Sequence, residues 1–336
     1  MNKKTAIVIT SISAPNEVLK SIAKGAKENN TDFILIGDVP SPKDFFIEGC
    51  DFYGMDRQKD LDFKLAKILP ERHYGRKNLG YLIAQKNGAT LITETDDDNF
   101  PRKEFWDYKE RKQTVATSEN DGWLNVFKYF SDKVIWPRGF PLEKIQDKQK
   151  RREFFKKQDV ICPIQQGLAD DNPDVDAIYR LTYPLPLKFD DDFSIALGKN
   201  TCCPFNSQNT AWFEEAFPLM YLPSYCSFRM TDIWRSFVAQ RILWENNWHL
   251  LFHKATVWQQ RNEHDLMKDF KDEIPGYLNN DKIVKTLGNL DLKSGKEFLG
   301  ENLKKCYQSL VDMELVGKKE LDLIDAWLKD ISKINN

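Results

Sequence analysis

No stretch of this sequence approaches the ~20 consecutive apolar residues that a bilayer-spanning helix needs. Met1-Asn2-Lys3-Lys4 is basic but leads only into the short run Ala6-Ile7-Val8-Ile9. With no cleavage pattern behind it, it does not read as a secretory signal. Neither sign of charge dominates: 49 Lys and Arg stand against 51 Asp and Glu, a net charge of -2. That balance gives no global reason to expect a nucleic acid partner, and the local run Lys148-Gln149-Lys150-Arg151-Arg152 reads as a solvated helix face rather than a polyanion site. Cysteine is scarce. The six (Cys50, Cys162, Cys202, Cys203, Cys226, Cys306) show no C-x-x-C spacing and are too few to staple 336 residues. They read as thiols of a reducing cytoplasm, with the vicinal pair Cys202-Cys203 unusual but not assigned a redox role. Internal repeats and low-complexity tracts are missing as well. What remains, 41% hydrophobic and 30% charged residues, is the make-up of a globular enzyme.

The first hundred residues alternate between two periods. Thr5-Ala6-Ile7-Val8-Ile9-Thr10 and Asp32-Phe33-Ile34-Leu35-Ile36 are continuous apolar runs of the kind found in buried strands. Between them Val18, Ile22, Ala23 and Ala26 recur at helical spacing. Further helices are expected over 57–69 and 74–87, the second stopping at Gly88, and then comes the run Thr90-Leu91-Ile92-Thr93. Strand–helix–strand alternation predicts a mainly parallel α/β sheet. The section from 105 to 225 is aromatic and proline-rich and reads as long functional loops. Residues 230–246 return to helical spacing. From 265 onward the sequence is charged and helical, with Phe298, Leu303, Leu310, Leu315, Leu321, Ile324, Trp327 and Ile331 as candidate buried positions. The expected organisation is a catalytic domain over 1–264 and a C-terminal helical region over 265–336.

Thr93-Glu94-Thr95-Asp96-Asp97-Asp98-Asn99-Phe100-Pro101 places three consecutive carboxylates after a buried strand. Adjacent aspartates repel one another, and a divalent cation such as Mg2+ or Mn2+ relieves that repulsion while keeping positions open for phosphate oxygens. The plain alternative is an Asp-rich turn. In an extended segment Asp96 and Asp98 share one side and Asp97 faces the other, toward a sugar hydroxyl. Upstream, Arg76 and Lys77 open a helix, where cationic side chains and backbone N–H groups can hold a diphosphate, or else form an exposed basic face. Ligands of such sheets bind at the carboxyl ends of the strands, so Thr10, Ser11 and Asp38 are candidates for holding base and ribose.

The segment GRKNLGYLIAQKNGATLITETDDDNFP (75–101) resembles the central motif of the STELLO-type glycosyltransferase family, an R-K-N-x-G-Y-L helix followed by D-D-D-N after the next strand. CPIQQGLADDNPDVDAIYRLT (162–182), PFNSQNTAW (204–212), RMTDIWRSF (229–237) and QQRNEHDLMKDFKDE (259–273) resemble later segments of that family in the same order. The resemblance runs from about residue 5 to residue 275. It implies a nucleotide-diphospho-sugar transferase fold of the GT-A type, a nucleotide-sugar donor and a divalent metal held by the Asp-X-Asp. Plant members are membrane-anchored Golgi proteins and this sequence shows no anchor, so it resembles a soluble, bacterial-type relative.

Within that resemblance Asp232 is the candidate general base that an inverting transfer requires, or an acid favoured in a first helical turn. Arg235 would bind acceptor or phosphate, or pair with Asp232. His264 is the expected further metal ligand, with His253 its competitor in a more apolar setting. Asp174, Asp176 and Arg180, in a turn followed by a strand, and Asn206 and Gln208, in a polar cluster amid aromatics, are candidates for sugar or acceptor contacts. The expectation is a cytoplasmic, Mn2+- or Mg2+-dependent hexosyl- or pentosyltransferase, inverting, that builds a cell-surface polysaccharide or glycoconjugate. Its partners would be a nucleotide-sugar donor and a glycan or lipid-linked glycan acceptor, with peripheral membrane contact open. The alternatives are a nucleotide-sugar mutase or nucleotidyltransferase on the same fold, or a non-catalytic assembly partner.

Overall fold

The computed structural model describes residues 4–190, 193–262 and 265–335. Strands β1 (Thr5–Thr10), β2 (Asp32–Ile36), β3 (Asp51–Tyr53) and β4 (Leu91–Thr95) lie parallel in the order β3-β2-β1-β4. Their apolar runs are continuous because both faces are covered. Ile7 and Ile9 join Val18, Leu19 and Ile22 of helix α1 (Glu17–Glu28) on one face. The helix starts where the Asn16 side chain accepts from the Leu19 N–H at 2.8 Å.

The helix expected over 57–69 is two short ones, α2 (Met55–Lys59) and α3 (Lys64–Ile68). The break has a local cause: the Asp330 carboxylate accepts from the N–H groups of Lys64 and Leu65, each at 2.8 Å, and so caps a new helix start. Helix α4 (Lys77–Lys86) covers the second face of the sheet, where Leu79, Leu82 and Ile83 join Ala6, Val8, Ile34 and Ile36. Gly80 lets that helix approach, since a Cβ there would meet Val8 Cγ1 at 2.4 Å.

The aromatic middle, expected as loops, supplies the rest of the sheet. β5 (Asn99–Pro101) precedes it; it contains β6 (Lys112–Ser118), β7 (Gly122–Trp123), β8 (Lys156–Ile161), β9 (Ile164–Asp170), β10 (Ile195–Leu197), β11 (Thr201–Cys202) and β12 (Asn209–Phe213), and β13 (Leu250–Gln259) follows. The order continues β4-β12-β9-β13-β10-β6-β8, with β5 beside β13 and a separate β11–β7 ribbon. β12 enters antiparallel to both β4 and β9, while β9 is parallel to β13 and β10 to β6. These strands carry little apolar periodicity. The outer strand β8 exposes Lys156, Lys157, Gln158 and Asp159, and β9 buries Gln165 and Gln166, the latter donating to the carbonyls of Gly167 and Asn209 at 2.8 and 3.1 Å.

After β9 the chain turns into a helix, α5 (Ala177–Thr182), rather than the expected strand, because Asp176 caps it. The basic run 148–152 is likewise not a helix face; it is irregular chain leading to a single 3-10 turn at Arg152–Phe154.

Helix α6 (Thr231–Glu245) is buried along nearly its whole length. The C-terminal region is helical as expected: α7 (Leu266–Gly288), α8 (Leu299–Asp312) and α9 (Glu320–Asn335). Leu303, Leu310, Ile324, Trp327 and Ile331 are buried there. α9 packs on α3 and α4, and α8 on α6. Glu320 accepts from the Tyr221 hydroxyl and from the N–H groups of Ser224 and Tyr225, which ties α9 to the loop before α6. All six cysteines are free. Burial pushes the Cys203 thiol up to about 12 and Cys202 also upward, so both stay protonated and unreactive. Among the described residues no helix is long and apolar enough to cross a membrane.

Candidate active site

A cleft of about 280 Å3 opens at the carboxyl ends of β1 and β4, lined by Thr10, Asp96, Asp97 and Asp98 together with Arg138, Arg180, Arg229 and Arg261. The acidic triplet is a turn rather than an extension of β4: the Asn99 N–H donates to the Asp96 carbonyl at 3.3 Å before β5 begins. The same-side argument from strand alternation therefore does not apply, yet all three aspartates line the cleft.

Each aspartate is held differently. Asp97 accepts from the hydroxyls of Ser11 and Ser13, the latter at 3.0 Å, and its carbonyl accepts from Asn16 Nδ2 at 2.9 Å. Ser11 thus braces the triplet, and Asp97 locks the β1 loop to the β4 turn. Asp98 is buried and receives Gln259 Nε2 on both oxygens at 3.1 Å. Burial raises its pKa against the opposing pull of that amide. Asp96 is 35% exposed, with Lys77 Nζ 3.3 Å from its Oδ1. Lys77 is itself wholly buried and also donates to the carbonyls of Thr95 and Ser207 at 2.9 and 3.3 Å. Removal from water pushes Asp96 up to about 7 despite Lys77, and the charges of Asp98, Asp97 and Asp232 add to the rise.

Asp96 and Asp98 fit a divalent cation. They are hard oxygen donors, and Asp96 has like-charged neighbours on its side and one ammonium to offset them. Among the described residues no group of three or more His, Cys, Asp or Glu side chains forms a ready cage. A site of one or two carboxylates completed by substrate phosphates and water is the usual arrangement for Mg2+. His264 lies outside the described residues. His253 is elsewhere: its Nδ1 lies 3.1 Å from the Lys254 carbonyl, it lines a different cavity, and burial lowers its pKa to about 4.

Asp232, in the first turn of α6, reaches the cleft with both oxygens engaged. Arg138 donates to Oδ1 and Oδ2 at 3.0 and 2.9 Å, and the Ser207 N–H approaches Oδ2 at 3.3 Å. The same guanidinium binds Asp174 through Nε and Nη2, each at 2.8 Å. Burial would raise the Asp232 carboxyl, but the Arg138 charge outweighs it and holds the group below the usual carboxylate range. Arg229 and Arg261 are backed from α7: Arg229 donates to Glu273 at 2.9 and 3.0 Å, and Arg261 to Asp269 at 2.8 Å. Arg180 lines the cleft and, among the described residues, bonds the Asn172 side chain at 3.4 Å and the Pro173 carbonyl at 2.8 Å.

Several expected residues are turned to structural tasks. Arg76, expected at the phosphates, is buried and donates to Gln58 and to the carbonyls of Leu69 and Pro70 at 2.8–3.3 Å, outside the cleft lining. Arg235 pairs with Glu94, not with Asp232, through two bonds of 2.8 and 3.0 Å, and both groups are buried. Asp38 accepts from the N–H groups of Val39, Arg72 and His73 at 2.7–2.9 Å, so it shapes the loop behind the cleft. Asp176 caps α5 and accepts from Trp136 Nε1 at 2.7 Å. Asn206 accepts from the Gln208 N–H at 3.0 Å, which leaves Ser207 and Gln208 as the lining residues of that cluster.

Sequence reasoning missed Arg138, Arg229, Arg261, Gln259 and the Tyr74–Phe228 pair at the rim. Arg229, Arg261 and Gln259 lie inside segments already singled out; for Arg138, in an aromatic loop, no signal stood out.

Residues 229–336 match the family model of STELLO glycosyltransferases. The chain is 28% identical to each of two Arabidopsis thaliana proteins, "Probable glycosyltransferase STELLO2" and "Probable glycosyltransferase STELLO1", over 344 residues covering 97% of this chain. It spans 44% of the length of each of these relatives. A solved mycobacterial protein superposes with a TM-score of 0.43 at 10% identity, over 84% of this chain and 76% of that one. The resemblance read from the motifs thus returns in the comparisons, across nearly the whole chain.

Proposed function

We propose that this chain is a glycosyltransferase that takes a nucleotide-sugar donor together with Mn2+ or Mg2+. The observation that carries this reading is Asp96 and Asp98 at the carboxyl end of β4, in one cleft with four arginines. The similarity to STELLO glycosyltransferases supports it. Bound to Asp96 and Asp98, the cation would act as a Lewis acid on the departing diphosphate.

The chain's own groups hold the rest. Lys77 fixes Asp96 from behind, and Ser11, Ser13 and Asn16 fix Asp97 beside it. Thr10 at the end of β1 lies on the donor side, and Ser207 and Gln208 offer polar contacts to sugar hydroxyls. Arg138 orients Asp232 as an anion within the cleft. In an inverting transfer Asp232 takes the acceptor hydroxyl's proton as the new C–O bond forms. The proposed product is a polysaccharide or glycoconjugate, made in the cytoplasm by hexosyl or pentosyl transfer to a glycan or lipid-linked glycan.

A second reading of the stereochemistry has its own support. A carboxylate clamped by a guanidinium and held below its ordinary pKa is a weak base. Retention, with the departing phosphate oxygen taking the proton, needs no such base. NMR of the product anomer decides between the two, and it also exposes a mutase, which rearranges the donor without any acceptor.

A thermal-shift screen of nucleotide sugars with and without Mn2+ tests the core of the proposal, because stabilisation grows with occupancy. One donor should raise the melting temperature only with the metal, and Asp98→Ala should abolish that rise. If no nucleotide sugar or nucleoside diphosphate shifts the wild type, the reading fails and a non-catalytic role takes its place.

A further inference from the structure

Among the described residues, the charges of the cleft are balanced at every cation but one. Arg138 meets two carboxylates, Arg229 meets Glu273, Arg261 meets Asp269, and Lys77 meets Asp96. Arg180 lies at the same wall, and among the described residues no carboxylate comes within ion-pair distance of it. Its Nη groups reach only the Asn172 amide oxygen and the Pro173 carbonyl, and its buried Nε has no acceptor. Arg235 also leaves its Nε bare, but Glu94 grips the other end of that guanidinium in a two-bond fork. Arg180 has no such counter-ion.

A guanidinium drawn out of water without an anion is costly, and a native structure that keeps one has a reason for it. Arg180 is partly buried; burial and the charges of Arg261 and Arg229 outweigh the opposing charges of Asp174 and Asp269 and lower its pKa to about 9, which still leaves it protonated at neutral pH. What is missing is an anion supplied from outside the chain. The neighbouring acids narrow the choice. The Asn262 N–H and the Arg261 charge bear directly on Asp98, so the arginine wall adjoins the acids proposed to hold a cation. A ligand meeting both needs an anionic centre for the cation and a second one for the guanidinium. A diphosphate has that form, and planar guanidinium forks suit phosphate oxygens.

We propose that Arg180, with Arg261 beside it, clamps the leaving diphosphate of the donor, the task that Arg76 is too deeply buried to perform. This rests on the donor reading above. In the transfer the bond from the anomeric carbon to the phosphate oxygen breaks, and its electron pair stays on the diphosphate. The acceptor oxygen bonds to the carbon and gives its proton to Asp232 in an inverting transfer, or to the departing phosphate oxygen in a retaining one. The negative charge on the diphosphate grows through the step, so the Arg180 contact strengthens toward the transition state.

Isothermal titration of the full chain with inorganic pyrophosphate and with UDP, GDP, CDP and ADP, each in Mn2+ and in EDTA, tests this. Arg180→Met should melt like the wild type and bind the preferred diphosphate roughly ten- to a hundredfold more weakly. Arg180→Lys, a point charge without the fork, should fall between the two. In EDTA the weak binding left in the wild type should vanish in the Met variant, a readout that does not involve the metal. A folded Met variant that binds diphosphate as tightly as the wild type overturns the clamp and leaves the donor reading standing. Should the Met variant not fold, a Lys variant with wild-type affinity overturns it equally. A wild type that binds neither pyrophosphate nor any nucleoside diphosphate sinks the donor reading itself, and the clamp with it.

Discussion

Glu94 and Asp96 stand two residues apart at one strand end, and they meet opposite surroundings. Glu94 is completely buried and accepts from four donors: two nitrogens of Arg235, Trp212 Nε1 and the Tyr81 hydroxyl. The Arg235 guanidinium lies 4.9 Å from the Trp212 ring centroid and does not line the cleft. Asp96 is half-buried, meets a single ammonium and sits among like charges. The first pair is closed. Its charges are matched by the chain itself, and only the Arg235 Nε lacks an acceptor. The second cluster is open: among the described residues its acids outnumber the cation beside them, and Arg180 in the same cleft meets no carboxylate at ion-pair distance. Sequence alone offers Asp96 as a metal ligand and Arg235 as an acceptor or phosphate contact, and it does not show that Glu94 takes Arg235 out of the site. What separates them is whether the fold completes their partners.

The sharpest way to break this contrast is Glu94→Ala. It leaves Arg235 charged and buried without a counter-ion, and removing one partner of a buried pair costs about 3–5 kcal/mol. Urea denaturation should show a loss of that order. A loss below about 1 kcal/mol would mean that the closed cluster is not structural. Asp98→Ala should do the converse. Stability should change by no more than about 1 kcal/mol, while turnover drops by roughly a hundred- to a thousandfold, the range seen when one transition-state electrostatic partner is lost. If both variants unfold alike, the distinction between open and closed clusters is wrong. Asp232→Asn lies between the two. The amide keeps the shape of the Arg138 contact but removes the base, so an inverting enzyme should lose about a hundredfold in turnover with little change in affinity. Near-normal turnover would favour retention.

How much of this was readable in advance follows from the same physics. β1, β2, α1 and α4 announced themselves through apolar periodicity, because they are buried on whole faces. β8 and β9 did not, since one is an exposed edge and the other buries glutamines whose amides bond to backbone carbonyls. The acidic triplet was readable because repulsion between neighbours is a local property. The arginine wall was not. Arg138, Arg180, Arg229 and Arg261 come from four separate segments, and only the packing of α5, α6 and α7 brings them together. Arg76 and Arg235 misled for the converse reason: their partners, Gln58 and Glu94, lie far enough away in sequence to be invisible as partners.

Asp176 gives the smallest expected effect and the finest test, because it is a closed site built without a cation. Its carboxyl is buried, capping α5 through the Tyr179 N–H and accepting from Trp136. Burial pushes it up to about 6, against the pull of those two donors. The sign follows from linkage. A carboxyl whose pKa is higher folded than unfolded favours the protonated folded state, so its contribution is most favourable below about pH 4 and declines as the pH rises through 6. Asp176→Asn cannot ionise and lacks that decline, although its amide meets the Trp136 N–H less well. Urea midpoints at pH 4 and pH 7 should therefore show the variant gaining on the wild type by about 1–3 kcal/mol across the interval. A gap that stays constant would mean that the two dipolar donors stabilise the buried anion as well as water does. A closed site would then need no counter-ion at all, and Glu94 would owe less to Arg235 than the geometry implies.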